Sequence, residues 1–258
     1  MRKVKLPGIS GRQVTVDVGD KVFVHSTAKF GTNVSLGNGV KIGPHCQVGA
    51  HSRLENTTLD SHTSLYERVH LTNVTVGTGC SIGKSSRIYG SKIDNNISIG
   101  QAAQLRNAAI GPRAIIGDNC QINSWGQTDF VVVSHVVVGN GVEICGDVKI
   151  GNQAVGASIV IGDNTTITTE CFGQPTVITS WVEIGEGCKI GNSTIESGSQ
   201  INDHTEITDA IIGSRVQIGR NVTIQPNVVI LDDWIIPDAV IVNYHPNAPV
   251  VIPKNRDS

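Results

Sequence analysis

Aromatic side chains make up only 4% of the 258 residues, and there is a single Met. A core of ordinary globular depth filled by Phe, Trp and Met is thereby excluded. Any interior must be narrow and built from Val, Ile, Leu, Ala, Thr and Cys. Charge is also sparse: charged residues are 16% and the formal net charge is -2. No broad field draws the chain to nucleic acid or anionic lipid, although a local basic patch is compatible with these totals. No apolar run approaches the ~18 residues that a bilayer span needs. The basic start "MRKVKLPGISGRQVTVDVGD" breaks at Pro7, Gly8 and Gly11 before any signal-like stretch. The six Cys show neither a CxxC pair nor dense spacing, so neither a disulfide framework nor a zinc site is read from them. The expectation is a soluble, cytoplasmic protein with reduced thiols that binds neither nucleic acid nor membrane.

What is plentiful is glycine, at 29 residues, and a repeat. Large aliphatics stand at Leu54, Leu59, Leu65, Leu71, Val76, Ile82, Ile88, Ile93, Ile99, Leu105, Ile110, Ile116 and Ile122, in steps of five, six and six repeated four times. The period is 17. Upstream, Val24, Phe30, Leu36, Ile42, Val48 and Leu54 step by six, and from Ile184 to Ile236 similar steps return. The fourth place after each aliphatic is small, thiol or β-branched, as at Cys46, Thr63, Cys80, Ala103 and Cys120. The place just after it is often Gly, as at Gly43, Gly49, Gly77, Gly83 and Gly100, where a corner with φ > 0 is expected. A helix does not fit: steps of five and six hold no single face at 3.6 residues per turn, and recurrent Gly costs about 1 kcal/mol each. Short strands joined by corners do fit, with the aliphatic and the small residue pointing inward two apart. Three such units close a coil, and coils stack in parallel about 4.8 Å apart.

The motif of an aliphatic, Gly, two free positions and a small residue resembles the hexapeptide-repeat family. That resemblance implies an all-β fold, a left-handed parallel β-helix of about 12 triangular coils with 17–18 residues per coil. The expected layout is an N-terminal cap segment over residues 1–20, the β-helix over 21–243 and a C-terminal tail over 244–258. The shorter repeats "LENTT", "LTNVT", "LRNAA" and "IGNST" resemble coils of acyltransferases and of sugar-nucleotide pyrophosphorylase carboxyl-terminal domains. The acyltransferase resemblance implies acetyl-CoA or another acyl-CoA as co-substrate, a sugar or sugar-nucleotide acceptor, a homotrimer, and a His general base. Backbone N–H groups of the coil corners would then stabilise the oxyanion. Two other readings stand beside it: a non-catalytic scaffold or binding solenoid, and a regulatory subunit related to sugar nucleotidyltransferases.

Histidine is the candidate base because its imidazole titrates near neutrality, with an unperturbed pKa of about 6.5. His45 and His62 lie 17 apart at the same corner and so stack one coil apart. His51 and His204 occupy similar corner places and read as solvated turn residues. His135 stands in "INSWGQTDFVVVSHVVVGNG", where the period fails, with Trp125 and Asp129 beside it; loops that interrupt a rigid scaffold often carry function. A second irregular stretch, "TTECFGQPTVITSW", supplies Glu170 and Trp181. The candidate catalytic residues are therefore His135, His45 and His62, with Trp125 and Trp181 as candidate CoA contacts. A zinc-binding solenoid such as the γ-class carbonic anhydrases would need a His-x4-His pair. The nearest pairs here, His45 with His51 and His62 with His70, are six and eight apart, so no metal is expected.

Overall fold

A computed structural model describes residues 1–112, 114–123, 131–133, 136–139, 142–145, 148–150, 159–168 and 176–243. These residues are strands, turns and bends, with no helix among them. The chain divides into two compact units, residues 1–123 and 124–258.

In the first unit the aliphatic period becomes three columns. Leu54 pairs with Leu71, Leu71 with Ile88, and Ile88 with Leu105, all in parallel register. A second column runs Ile42, Leu59, Val76, Ile93. The third runs Val48, Leu65, Ile82, Ile99. Nearly all are fully buried, and each such burial contributes roughly 1.5–3 kcal/mol. The coil predicted from the spacing is the coil observed: three parallel walls, here called first, second and third, through Leu71, Val76 and Ile82 respectively. At the start, β1 (Arg2–Pro7) pairs antiparallel with β2 (Gln13–Val18), and β2 joins the first wall beside Ser35–Leu36. The second unit repeats the plan, with Ile167, Ile190, Ile207 and Ile224 in one column and Ile161, Ile184, Ile201 and Ile218 in another. The architecture is the left-handed parallel β-helix class that the hexapeptide-repeat resemblance implied.

Two expectations are corrected. Gly43, Gly49, Gly77, Gly83 and Gly100 are not the positive-φ residues of the corners; that conformation falls two places later, at His45, His51, Gly79, Ser85 and Ala102. Glycine follows the aliphatic because parallel coils approach too closely for a side chain. A Cβ on Gly83 would lie 2.5 Å from the Gln101 backbone nitrogen. The register also departs from period 17 at a place the spacing did not flag: Val138 pairs with Ile161 and Ile144 with Ile167. Eleven residues separate the inward Ile150 and Ile161, instead of the usual five or six.

The small inward slot does more than save space. Ser52, Thr63 and Ser86 donate to the carbonyls of Tyr66, Gly77 and Gly100 on the next coil. Cys46 and Cys80 donate likewise to Asp60 and Asp94, at 2.8 and 2.9 Å. Burial pushes the thiols of Cys46, Cys80 and Cys188 up from the ordinary value of 9.0. A group whose pKa is raised on folding stabilises the fold below its unfolded pKa and loses that contribution as pH climbs through it, here above about pH 9. At pH 8 these three cysteines are expected to resist iodoacetamide in the native protein and to alkylate in urea, as read by peptide mapping. Rapid native labelling at any of them would contradict the inward placement.

Candidate functional site

The corner between the second and third walls of the first unit gathers residues 25–28, 43–46, 60–63, 77–80 and 94–97. Its left-handed position is filled by His45 (φ 57°), His62 (φ 58°), Gly79 (φ 70°) and Asn96 (φ 58°). The turn itself explains this choice. For most L-residues that conformation costs about 1–2 kcal/mol, while Gly, Asn, Asp and His enter it readily. Among the described residues, twenty-three non-glycine residues adopt it, of which ten are Asn, four His and two Asp. His51 (φ 60°) and His204 (φ 59°) belong to the same class, and the His204 Nδ1 atom lies 3.1 Å from the Glu186 carbonyl oxygen.

His45 and His62 stand apart because their rings stack, with centroids 5.0 Å apart and planes tilted by 31°. Both are exposed. Among the described residues no carboxylate hydrogen-bonds to either ring. Beneath them, the His45 backbone N–H donates to Thr27 Oγ1 at 2.9 Å, and the same hydroxyl lies 2.9 Å from His25 Nδ1. Sequence reasoning passed over His25 and Thr27, although Val24 opens the same corner one coil earlier and the spacing therefore placed them there.

Six turn residues of this corner offer no free backbone N–H to an oxyanion. The N–H groups of His45, His62 and Gly79 already donate to Thr27, to the Pro44 carbonyl and to the Ser61 carbonyl. Those of Ser61 and Thr78 are taken by the side chains of Asp60 and Asn95, and Pro44 has none. Hydroxyl donors also stand at this corner: Ser61 Oγ and Thr78 Oγ1 lie 3.3 Å apart, so one of the two retains a free O–H.

Trp181 lies in the second unit, 58% exposed and at a left-handed corner position (φ 61°) shared by Gly198, Arg215 and Asp233. There Arg215 forms a two-point pair with Asp233, at 2.7 and 2.9 Å. His135, Trp125, Asp129 and Glu170 lie outside the described residues. Among the described residues no group of three His, Cys, Asp or Glu side chains could hold a metal ion, and no helix is long and apolar enough to cross a membrane.

A further histidine, weighed from the sequence only as half of a rejected zinc pair, has a different setting. His70 sits in mid-wall on His70–Thr72, in register with Arg53 on one side and Arg87 on the other. Partial burial, followed by the two guanidinium charges, holds its pKa below the ordinary 6.5. The signal was available as positions 53, 70 and 87, each 17 apart.

Comparison with curated proteins finds no significant match. Among solved structures, the chain is similar to a GDP-perosamine N-acetyl transferase from Caulobacter crescentus, solved with CoA and GDP-perosamine. The identity is 17%, coverage is 41% of this chain and 52% of that one, and the TM-score is 0.35. It is also similar to UDP-N-acetylglucosamine acyltransferases from Campylobacter jejuni (15% identity, 68% and 65% coverage, TM-score 0.34) and Francisella novicida (13%, 84% and 65%, TM-score 0.33). The chain thus spans about half the length of the first and just under two thirds of the other two. Identities and TM-scores this low carry no argument about this chain. The family model described as GMPPB C-terminal domain matches residues 18–112 and 155–254, well over half of the sequence. With that match and the coil register in hand, the chain belongs to the GMPPB C-terminal domain family.

Proposed function

We propose that the protein is an acyltransferase that moves an acyl group, acetyl in the first instance, from CoA to a hydroxyl or amine of a sugar or sugar nucleotide. The observation that carries this reading is the stacked, exposed pair His45 and His62. A neutral ring accepts the acceptor's proton as its oxygen or nitrogen attacks the thioester carbonyl, and the CoA thiolate leaves. Hydroxyl donors at the same corner, Ser61 or Thr78, take the place that corner amides would otherwise fill at the developing oxyanion. The acyl-CoA donor follows from the hexapeptide-repeat resemblance. So does a homotrimer with the CoA arm in an inter-subunit groove; a cytoplasmic setting is proposed with it, with Trp125 and Trp181 as CoA contacts and His135 as the alternative catalytic base.

A second reading, a non-catalytic binding or regulatory module, is favoured by one specific observation. The left-handed corner conformation accounts for His45 and His62 without any chemistry, as it does for Asn96 in the same column. Thermal unfolding with acetyl-CoA separates the two. At 100 times Kd, linkage gives about 2.7 kcal/mol of added stability, and free thiol should then appear when a sugar-nucleotide acceptor is supplied. Absence of both the shift and the thiol release would leave the module reading in place.

A further inference from the structure

We infer that the first wall of the first unit is a binding site for the diphosphate group of a small molecule, held by Arg53, His70 and Arg87, with Tyr89 and Arg106 receiving an adjoining planar ring. Strand register places the three nitrogen-bearing side chains side by side on the solvent face, one per coil. Neighbouring coils are about 4.8 Å apart, so the column spans about 10 Å, a length that two phosphates bridge when flexible side chains reach toward them. Arg53 and Arg87 stand two coils apart with His70 between them, and no acidic side chain takes a place in that three-coil run. An anionic ligand would supply the counter-charge that the run lacks.

Two nearby acids have partners of their own. Glu67 pairs with Lys84 at 3.6 Å, and the Glu55 carboxylate accepts the Asn38 N–H at 3.1 Å. Among the described residues Arg53 and Arg87 form no ion pair. Arginine's planar fork suits phosphate oxygens, two donors to two acceptors. Two places along the strand from Arg87, Tyr89 is exposed, and the Arg106 guanidinium carbon lies 6.0 Å from its ring centroid. A nucleobase has the flat face that such a tyrosine and arginine accept.

The extent of the column argues for a small ligand over a polymer. Ser35 precedes Arg53 in register and Gln104 follows Arg87, so the cationic run stops after three coils. A nucleic acid or an acidic protein surface would call for a longer stripe.

This assignment stands apart from acyl transfer, and its test reads binding without turnover. Calorimetric titration of the full chain at low salt should detect inorganic pyrophosphate and, more tightly, ADP. The double variant Arg53→Gln/Arg87→Gln should weaken both by about tenfold or more, as loss of charge-assisted contacts does. Tyr89→Leu should remove only the advantage of ADP over pyrophosphate. In the wild type, the His70 imidazole NMR signal should move on pyrophosphate addition while those of His45 and His62 stay in place. All three substituted residues are exposed, and an unchanged circular dichroism melt confirms their folding. Failure of the wild type to bind pyrophosphate, equal binding by the double variant, or tighter binding of an oligonucleotide or an acidic peptide would each overturn the proposal.

Discussion

Gly83→Ala is expected to cost about 3 kcal/mol or more, which is large for the addition of one methyl group to a half-buried turn. The new Cβ would meet Gly100 and the Gln101 nitrogen at about 2.5 Å, and every one of those atoms is backbone of the next coil. Nothing there rotates away. Relief requires the coils to part, which strains the pairing of Ser81–Ile82 with Ser98–Ile99 that continues the strand into this corner. Gly79 makes the control. Its φ of 70° is left-handed, yet Asn96 holds the same position one coil on at φ 58°. Gly79→Asn should therefore lose little, the Asn96 side chain being the movable group it would meet. In a solenoid, coupling runs between nearest neighbours, so accelerated hydrogen exchange in Gly83→Ala should concentrate on peptides covering residues 81–106. A variant as stable as wild type in urea would remove close approach as the reason for glycine at these positions.

That glycine also marks the boundary of what the sequence discloses. Leu71, Ile88 and Leu105 are legible as a column because a buried aliphatic has few substitutes, so the 17-residue period survives in plain view. The same logic exposed the inward cysteines. Glycine is chosen for two separate reasons, a left-handed φ and a near backbone, and composition does not separate them. Gly79 serves the first and Gly83 the second, four residues apart. Outward wall positions are harder still. Arg53, His70 and Arg87 are each unremarkable on a solvated surface, and only the register converts their spacing into adjacency. The histidine corner was legible as a stack, since His45 and His62 share one turn position. Its supporting partners His25 and Thr27 were not, because the first coil places His where later coils have Gly43 or Asp60.

Replacing both stacked histidines by asparagine should abolish most turnover while leaving the fold untouched. Asparagine is the informative choice because the corner already accepts it: Asn96 sits in the same column with the same backbone. Alanine would confound the result by adding the cost of a left-handed φ, about 1–2 kcal/mol per site, to the loss of the ring. With His45→Asn/His62→Asn, the contacts His45 N–H to Thr27 and His62 N–H to the Pro44 carbonyl remain available, because both are backbone donors. The melting temperature should stay within a degree or two. What disappears is the imidazole nitrogen, and loss of a general base lowers kcat by about 10²- to 10⁴-fold. The single variants divide the roles: the ring that touches the acceptor carries nearly the whole loss, and its neighbour shifts KM or the pH profile with a smaller drop in kcat. Thioester cleavage followed by thiol release at saturating acceptor is the measurement. Undiminished kcat in the double variant would strip this corner of catalysis and return the base to another part of the chain. Its stability would still report that histidine and asparagine are interchangeable here as turn residues.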